Sequence, residues 1–377
     1  MTTSPPIPRP ASVLIVRLSA MGDIIHTLPA AAALRQAFPD ATLGWLVEGR
    51  WTELLCAPGY PRSGPRSSQR SAQRSPQRPL VDRIHTVTTK EWRRAPFSIN
   101  TWRAIAASLR ELRNLDYDAV VDFQGAIRSA VLSYWSGAPV IFGSAHPRES
   151  EARILYTHKI QPTGAHVVEQ AMALSAAVVG KPLPIPQVEF PVDPDAERKI
   201  AGLVADGEAI AILNPGAGWG AKRWPAERYG QVASELAKEG IRSLVNYGPG
   251  EEDLAAAVEN ASAGAARKVS CSISELIALT RRARLFVGGD TGPLHMAAAL
   301  NVPVVAIFGP TDPARNGPFG TRSIVLRNAS SITDHSRHRE PEQGLLEITA
   351  EEVVAAARNL LRNQIAESQI AESKISE

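Results

Sequence analysis

The sequence predicts an α/β protein built from two doubly wound, parallel-sheet domains. Three observations carry this reading. Short, continuously apolar runs alternate with helical patterns from residue 13 to 179; a stiff proline connector, Pro182-Leu-Pro-Ile-Pro186, follows; the alternation then restarts at residue 209. Strands that are apolar at every position are covered on both faces, which is the condition of a parallel sheet sandwiched by helices. At 377 residues the chain has room for two such domains.

The first domain is expected over residues 1–185. Val13-Leu-Ile-Val-Arg-Leu18 reads as a strand running into the loop Ser19-Ala-Met-Gly-Asp23. An Ala/Leu-rich helix then extends to Phe38 and stops at Pro39-Asp40. Further strands are expected at 41–47, 84–87, 119–123 and 140–142, with helices at 102–113, 126–135 and 166–179. The second domain, 186–363, repeats the pattern. Its strands fall at 209–213, 241–247, 285–287 and 302–308, and its helices at 226–238, 251–260, 274–282 and 292–300. The two domains are expected to face each other across a cleft.

Two segments stand outside this pattern. Residues 61–79 carry five arginines (Arg62, Arg66, Arg70, Arg74 and Arg78) among Ser, Gln and Pro, without an acid, and are expected to be a disordered insertion. Solvation alone accounts for such a loop; electrostatic attachment to anionic lipid is its functional alternative. The tail, 364–377, contains a five-residue repeat, Gln364-Ile-Ala-Glu-Ser-Gln-Ile-Ala-Glu-Ser373, and is expected to be a frayed helical extension.

Composition excludes several classes. With 44% hydrophobic and 21% charged residues, the chain is neither globally disordered nor fibrous. No apolar run is long enough to span a membrane, and the proline-rich first ten residues do not form a signal peptide. Two cysteines, Cys56 and Cys271, suit a reducing, cytoplasmic setting. A net charge of +3 does not favour a nucleic-acid partner.

Ligands of parallel α/β sheets collect at the carboxyl ends of strands, where loops lead into helix N-termini. Four such loops stand out. In Ser19-Ala-Met-Gly-Asp-Ile-Ile-His-Thr27, Asp23 either caps the helix or serves as a general base toward a hydroxyl nucleophile, and His26 one turn on either orients it or packs. In Asn214-Pro-Gly-Ala-Gly-Trp-Gly-Ala-Lys-Arg-Trp-Pro225, Gly216 lets the backbone approach a ligand, and Lys222 suits a phosphate; a mobile loop is the plain alternative. The spacing matches neither a Walker A loop nor a dinucleotide fingerprint. Gly288-Gly-Asp-Thr-Gly-Pro-Leu-His295 opens a helix, so the amides around Thr291 and Gly292, with Pro293 in the first turn, form a seat for a diphosphate. Capping explains Asp290 or Thr291 alone, but not both glycines together with His295. Phe308-Gly-Pro-Thr-Asp-Pro313 is a rigid turn after a strand.

In this order these motifs resemble the ADP-heptose:lipopolysaccharide heptosyltransferases of glycosyltransferase family 9, the heptosyltransferase I subgroup in particular. The N-terminal signature is carried by residues 13–29 and the C-terminal ones by Gly289-Asp-Thr-Gly-Pro-Leu-His295 and Phe308-Gly-Pro-Thr-Asp312. Tyr117-Asp-Ala-Val-Val-Asp-Phe-Gln-Gly-Ala-Ile-Arg-Ser-Ala130 is similar to the Asp-x-Gln-Gly segment between them. The resemblance runs from residue 13 to 363, omitting the arginine insertion. It implies a GT-B fold and an inverting, metal-independent transfer of L-glycero-D-manno-heptose from ADP-heptose to a Kdo residue of lipid A, at the inner-membrane surface and without a cofactor. It further implies Asp23 as base, Lys222 on the donor phosphate, Asp290 on heptose hydroxyls, and Thr291 with Gly292 as the diphosphate seat. Lys90, Arg93 and Arg94 fall in the family's basic acceptor loop, where Glu91 departs from the cationic pattern, and Arg148 is a further acceptor candidate. Heptosyltransferase II, a family 9 transferase with another acceptor, a sugar-nucleotide epimerase of the same fold and a non-catalytic nucleotide-sugar module are the alternatives.

Overall fold

The computed structural model describes residues 9–63, 75–334, 336 and 338–375, with side chains to residue 362. The chain divides into two compact units, 1–193 and 194–377, so the break follows Asp193 rather than the proline connector.

The first unit is one parallel sheet of six strands: β1 (Ser12–Val16), β2 (Thr42–Glu48), β3 (Arg83–Val87), β4 (Ala119–Asp122), β5 (Val140–Ser144) and β6 (His158–Ile160), in the order β3-β2-β1-β4-β5-β6. Every residue of β1 is buried, as its unbroken apolar run requires. The chain steps outward from β1 to β3, then returns to lay β4 on the other side of β1. The loops after β1 and β4 therefore leave in opposite directions and open a crevice at that point.

The second unit repeats the plan with β7 (Ile210–Asn214), β8 (Arg242–Tyr247), β9 (Ala266–Ser270), β10 (Leu285–Gly289), β11 (Val304–Phe308) and β12 (Ser323–Arg327), in the order β12-β11-β10-β7-β8-β9. Its reversal point lies between β7 and β10. Trp224 and Tyr229 meet edge to face beneath it in the core.

The central strands and the edge strand β3 fall where expected, and the other three edge strands, β6, β9 and β12, are additions. β6, β9 and β12 are largely exposed or half-buried, so they lack the apolar signature of a buried strand. Two further expectations are corrected. Residues 90–94, which the resemblance places in a basic loop, lie in the helix Thr89–Arg94. The helix expected to start at 102 begins three residues earlier, at Ile99, after an N-capping Ser98. Of the expected disordered insertion, 64–74 lies outside the described residues, while its flanks are built into the fold. Ser63 bridges to Arg83, Ala57 N–H donates to the Gln77 carbonyl at 2.8 Å, and Val192 N–H to that of Pro76 at 2.9 Å. The tail is helical to Ile375 as part of the helix Ala350–Ile375.

Candidate functional site

At the reversal point of the first sheet, β1 runs through Arg17-Leu-Ser-Ala20 into the helix Met21–Ala37. Ala20 is the N-cap and Asp23 the third helical residue. The Asp23 carboxylate is 41% exposed and held by two partners. Its Oδ1 lies 2.8 Å from Arg17 Nη2, and its Oδ2 accepts the Ala20 N–H at 3.0 Å. Capping and accessibility thus coexist at Asp23, and each oxygen keeps a lone pair for a further proton. His26 is buried and meets His166 edge to face, with ring centroids 5.4 Å apart.

The β4 loop supports this turn from the other side. Gln124 Oε1 accepts the N–H groups of Leu18 at 3.0 Å and Ser19 at 3.1 Å, and the Arg17 guanidinium donates to the Phe123 carbonyl. Gln124 is itself fixed by Asp122, which is completely enclosed. The Asp122 carboxylate accepts from the amides of Gln124 (2.8 Å) and Gly125 (3.2 Å) and from the hydroxyls of Ser129 and Tyr156 (both 2.8 Å). Burial pushes its carboxyl above the usual range, and these hydrogen bonds offset only part of that. Arg17, Asp122 and Gln124 were missed as site residues. The only sequence signal was the Asp-x-Gln-Gly order, which places an acceptor side chain two residues after a strand.

The acceptor candidates divide. Lys90, Arg93 and Arg94 are exposed on the helix Thr89–Arg94 that follows β3, and Thr89 anchors that helix to Glu48 at the end of β2. Arg148 is exposed after β5, with its backbone against Gly125 and the Glu149 N–H donating to the Gly125 carbonyl at 2.9 Å. Arg148 therefore adjoins the Gln124 turn, whereas the other three sit two strands away from β1.

In the second unit, the loops after β7 and β10 bring Lys222 and Asp290 together. Lys222 Nζ lies 2.5 Å from Asp290 Oδ2 and 4.3 Å from the centre of the Trp219 ring, and His295 Nε2 is 3.0 Å from Asp290 Oδ1. Burial alone would raise the Asp290 carboxyl. The hydrogen bond and charge of His295, then Lys222, outweigh it and hold the group well below the usual carboxylate range. Thr291 is the N-cap of the helix Gly292–Ala299, with Pro293 in the first turn, but its hydroxyl donates back to the Gly289 carbonyl at 3.2 Å instead of capping. The first amides of that helix have no carbonyl one turn back to bond, so they point outward as donors, adding to the positive end of the helix dipole.

The glycine loop 214–222 is not a loose one. Asn214 Nδ2 donates to the Gly216 carbonyl at 3.2 Å, Asn246 Nδ2 to Asn214 Oδ1 at 2.7 Å, and the Ala221 N–H to the His338 carbonyl at 3.1 Å. The Glu251 carboxylate lies against Gly216 and would have to move aside for a side chain there. Asp312 caps its own short helix through the Ala314 N–H at 2.9 Å, which fixes the turn after β11. Among the described residues, no cluster of three His, Cys, Asp or Glu side chains is arranged to hold a metal ion, and no helix is long and apolar enough to cross a membrane.

A model of the family described as glycosyltransferase family 9 (heptosyltransferase) matches residues 105–345. The chain is 30% identical over 319 residues to lipopolysaccharide heptosyltransferase 1 of Escherichia coli K12, covering 84% of this chain and 93% of that one. Among solved structures, E. coli heptosyltransferase WaaC with ADP superimposes at a TM-score of 0.72 and 27% identity, covering 93% of this chain and 99% of that one. WaaC with ADP-2-deoxy-2-fluoro heptose gives 0.69 and 28%, covering 95% and 99%.

Proposed function

Because this chain belongs to glycosyltransferase family 9, we propose that it moves L-glycero-D-manno-heptose from ADP-heptose to a Kdo residue of the lipid A inner core, with Asp23 as the base. That it is a glycosyltransferase with the two Rossmann-like units of the GT-B class follows from the family and the fold. The donor, the acceptor and the residue roles are our reading.

In this reading the acceptor hydroxyl attacks the anomeric carbon of the heptose while the bond from that carbon to the β-phosphate oxygen breaks, and ADP departs. A single displacement inverts the anomeric centre. The hydroxyl proton passes to the Asp23 carboxylate, which Arg17 and the Ala20 amide hold in one orientation. Charge builds on the leaving diphosphate, where the amides of Thr291 and Gly292 and the Lys222 ammonium are suited to receive it without a metal. Asp290 has lone pairs left for sugar hydroxyls, and Lys90, Arg93, Arg94 and Arg148 suit the carboxylate of Kdo and the phosphates of lipid A. A lipid-borne acceptor puts the enzyme at the cytoplasmic face of the inner membrane.

The observation that carries the reading is the buried Lys222–Asp290–His295 cluster at a helix N-terminus, in a chain whose relative has been solved with an ADP-heptose analogue. The test is ADP release from ADP-heptose with and without Kdo-lipid A. Release that depends on that acceptor and yields a heptosylated product supports it. Release only with an acceptor that already carries heptose would make the chain a different member of the family, and donor binding without turnover would make it a binding module.

A further inference from the structure

We propose that the turn and helix start at residues 95–102 seat the protein on an anionic lipid surface, with Phe97, Ile99 and Trp102 entering the interface. This rests on the proposed function only for the purpose of such a seat; the surface itself is read from the structure. Phe97 is 96% exposed, Ile99 66% and Trp102 58%, three large apolar side chains within six residues. Scattered exposed apolar residues are ordinary, but a contiguous group marks an interaction site.

The segment is built to present them. Ser98 accepts the Asn100 N–H at 3.3 Å and caps the helix Ile99–Arg113. Thr101 is buried, and its hydroxyl donates to the Ala95 carbonyl at 2.8 Å, which closes the turn. At its far end the same helix buries Leu112 and carries Glu111, whose Oε1 is 2.5 Å from His85 Nδ1. Helix and turn are therefore anchored by polar and inward-facing groups, while the apolar side chains point to solvent.

Charge selects the occupant. Between residues 89 and 104 stand four basic residues against the single acid Glu91. Arg103 follows Trp102 directly, and Lys90, Arg93 and Arg94 are exposed on the preceding helix. Aromatic and aliphatic side chains flanked by Lys and Arg are what an interfacial segment uses at an anionic leaflet, the cations meeting headgroups while the apolar tips enter the acyl boundary. A second copy of the chain would bring the same excess positive charge against this one, which opposes self-association through the patch.

The test compares the full-length chain with a Phe97→Ser, Ile99→Ser, Trp102→Ser variant. Co-sedimentation uses vesicles of phosphatidylcholine with and without phosphatidylglycerol. Wild type should bind the anionic vesicles, less so as salt rises, and the variant should lose about tenfold or more of that binding. Heptosyl transfer to a delipidated acceptor sugar should be unchanged in the variant, which also shows that it folds. Equal vesicle binding by the two proteins, or none by wild type, overturns the proposal, as does a lipid-free dimer that the substitutions abolish. Vesicle binding is read without turnover, so failure of the heptosyl reading leaves this measurement standing, and failure here leaves the transfer assay standing.

Discussion

Lys222 and Asp290 form an ion pair at 2.5 Å with both side chains about nine-tenths shielded from water. His295 and then Lys222 offset the burial of the Asp290 carboxylate, and each is needed to hold it low. Lys222→Met should therefore leave Asp290 with His295 alone and destabilise the second unit by about 3–5 kcal/mol. It should also weaken ADP binding, because the cation meant for the diphosphate is gone. Urea unfolding and titration calorimetry check the two effects. Undiminished ADP affinity would remove Lys222 from the donor site.

Asp290 and Asp122 give opposite pH dependences. An unfolded aspartate titrates near 3.9, and Asp290 titrates lower in the fold. Its contribution to stability is thus complete above about pH 4 and is lost as pH falls toward the folded value. Asp122 is raised by burial, so the folded chain holds its proton more tightly than the unfolded one. Stability from that site falls as pH rises from about 4 through the folded value. Urea midpoints across this range should show Asp290→Asn flattening the acid limb and Asp122→Asn removing the decline above it. The same slope in all three proteins would contradict both assignments.

Asp23→Asn keeps the side chain's size and its hydrogen bond from Ala20 but removes the base. Turnover should fall by about 10²–10⁴-fold with ADP-heptose affinity within about twofold of wild type. A variant with more than about a tenth of wild-type turnover would show that the proton leaves by another route.

Gln124→Leu tests the support beneath Asp23. It strands the amides of Leu18 and Ser19, which donate to Gln124 at 3.0 and 3.1 Å, at a cost of about 1–3 kcal/mol. Because those amides end one residue before the N-cap of the helix that carries Asp23, kcat should drop while the donor KM holds. Gln124→Glu, which restores an acceptor, should recover most of the rate. If the donor KM rises instead, Gln124 acts elsewhere.

Legibility in the sequence followed burial. Strands such as β1, β7, β10 and β11 are enclosed along their whole length and announce themselves as apolar runs; β6, β9 and β12 lie at sheet edges, half wet, and look like loops. The turn from Gly289 into the helix Gly292–Ala299 was legible because glycines and capping residue types stand close together after a buried strand. The partnership of Lys222 with Asp290 was not, since it joins positions 68 residues apart that only the order of β7 and β10 makes neighbours. Arg17 was hidden for a different reason: it reads as one polar residue ending a strand, and its role emerges only when the helix turns Asp23 back onto it.

Gly125 joins the Gln124 turn to Arg148, and replacing it isolates the acceptor side. Its φ is +63°, and a Cβ added there would lie 3.1 Å from the Arg148 nitrogen and 3.3 Å from the Pro147 Cα. Gly125→Ala should cost about 1–2 kcal/mol for the left-handed backbone and push the 147–148 segment outward. Gly137, with φ +84° and only Arg113 Cγ near, at 3.8 Å, supplies the control. Both alanine variants should lose thermal stability, Gly125→Ala the more because its neighbours must also give way, and only Gly125→Ala should raise the KM for the acceptor while leaving that for ADP-heptose unchanged. If the two variants have the same acceptor KM, Arg148 does not take part in acceptor binding, and the basic residues after β3 carry that role alone.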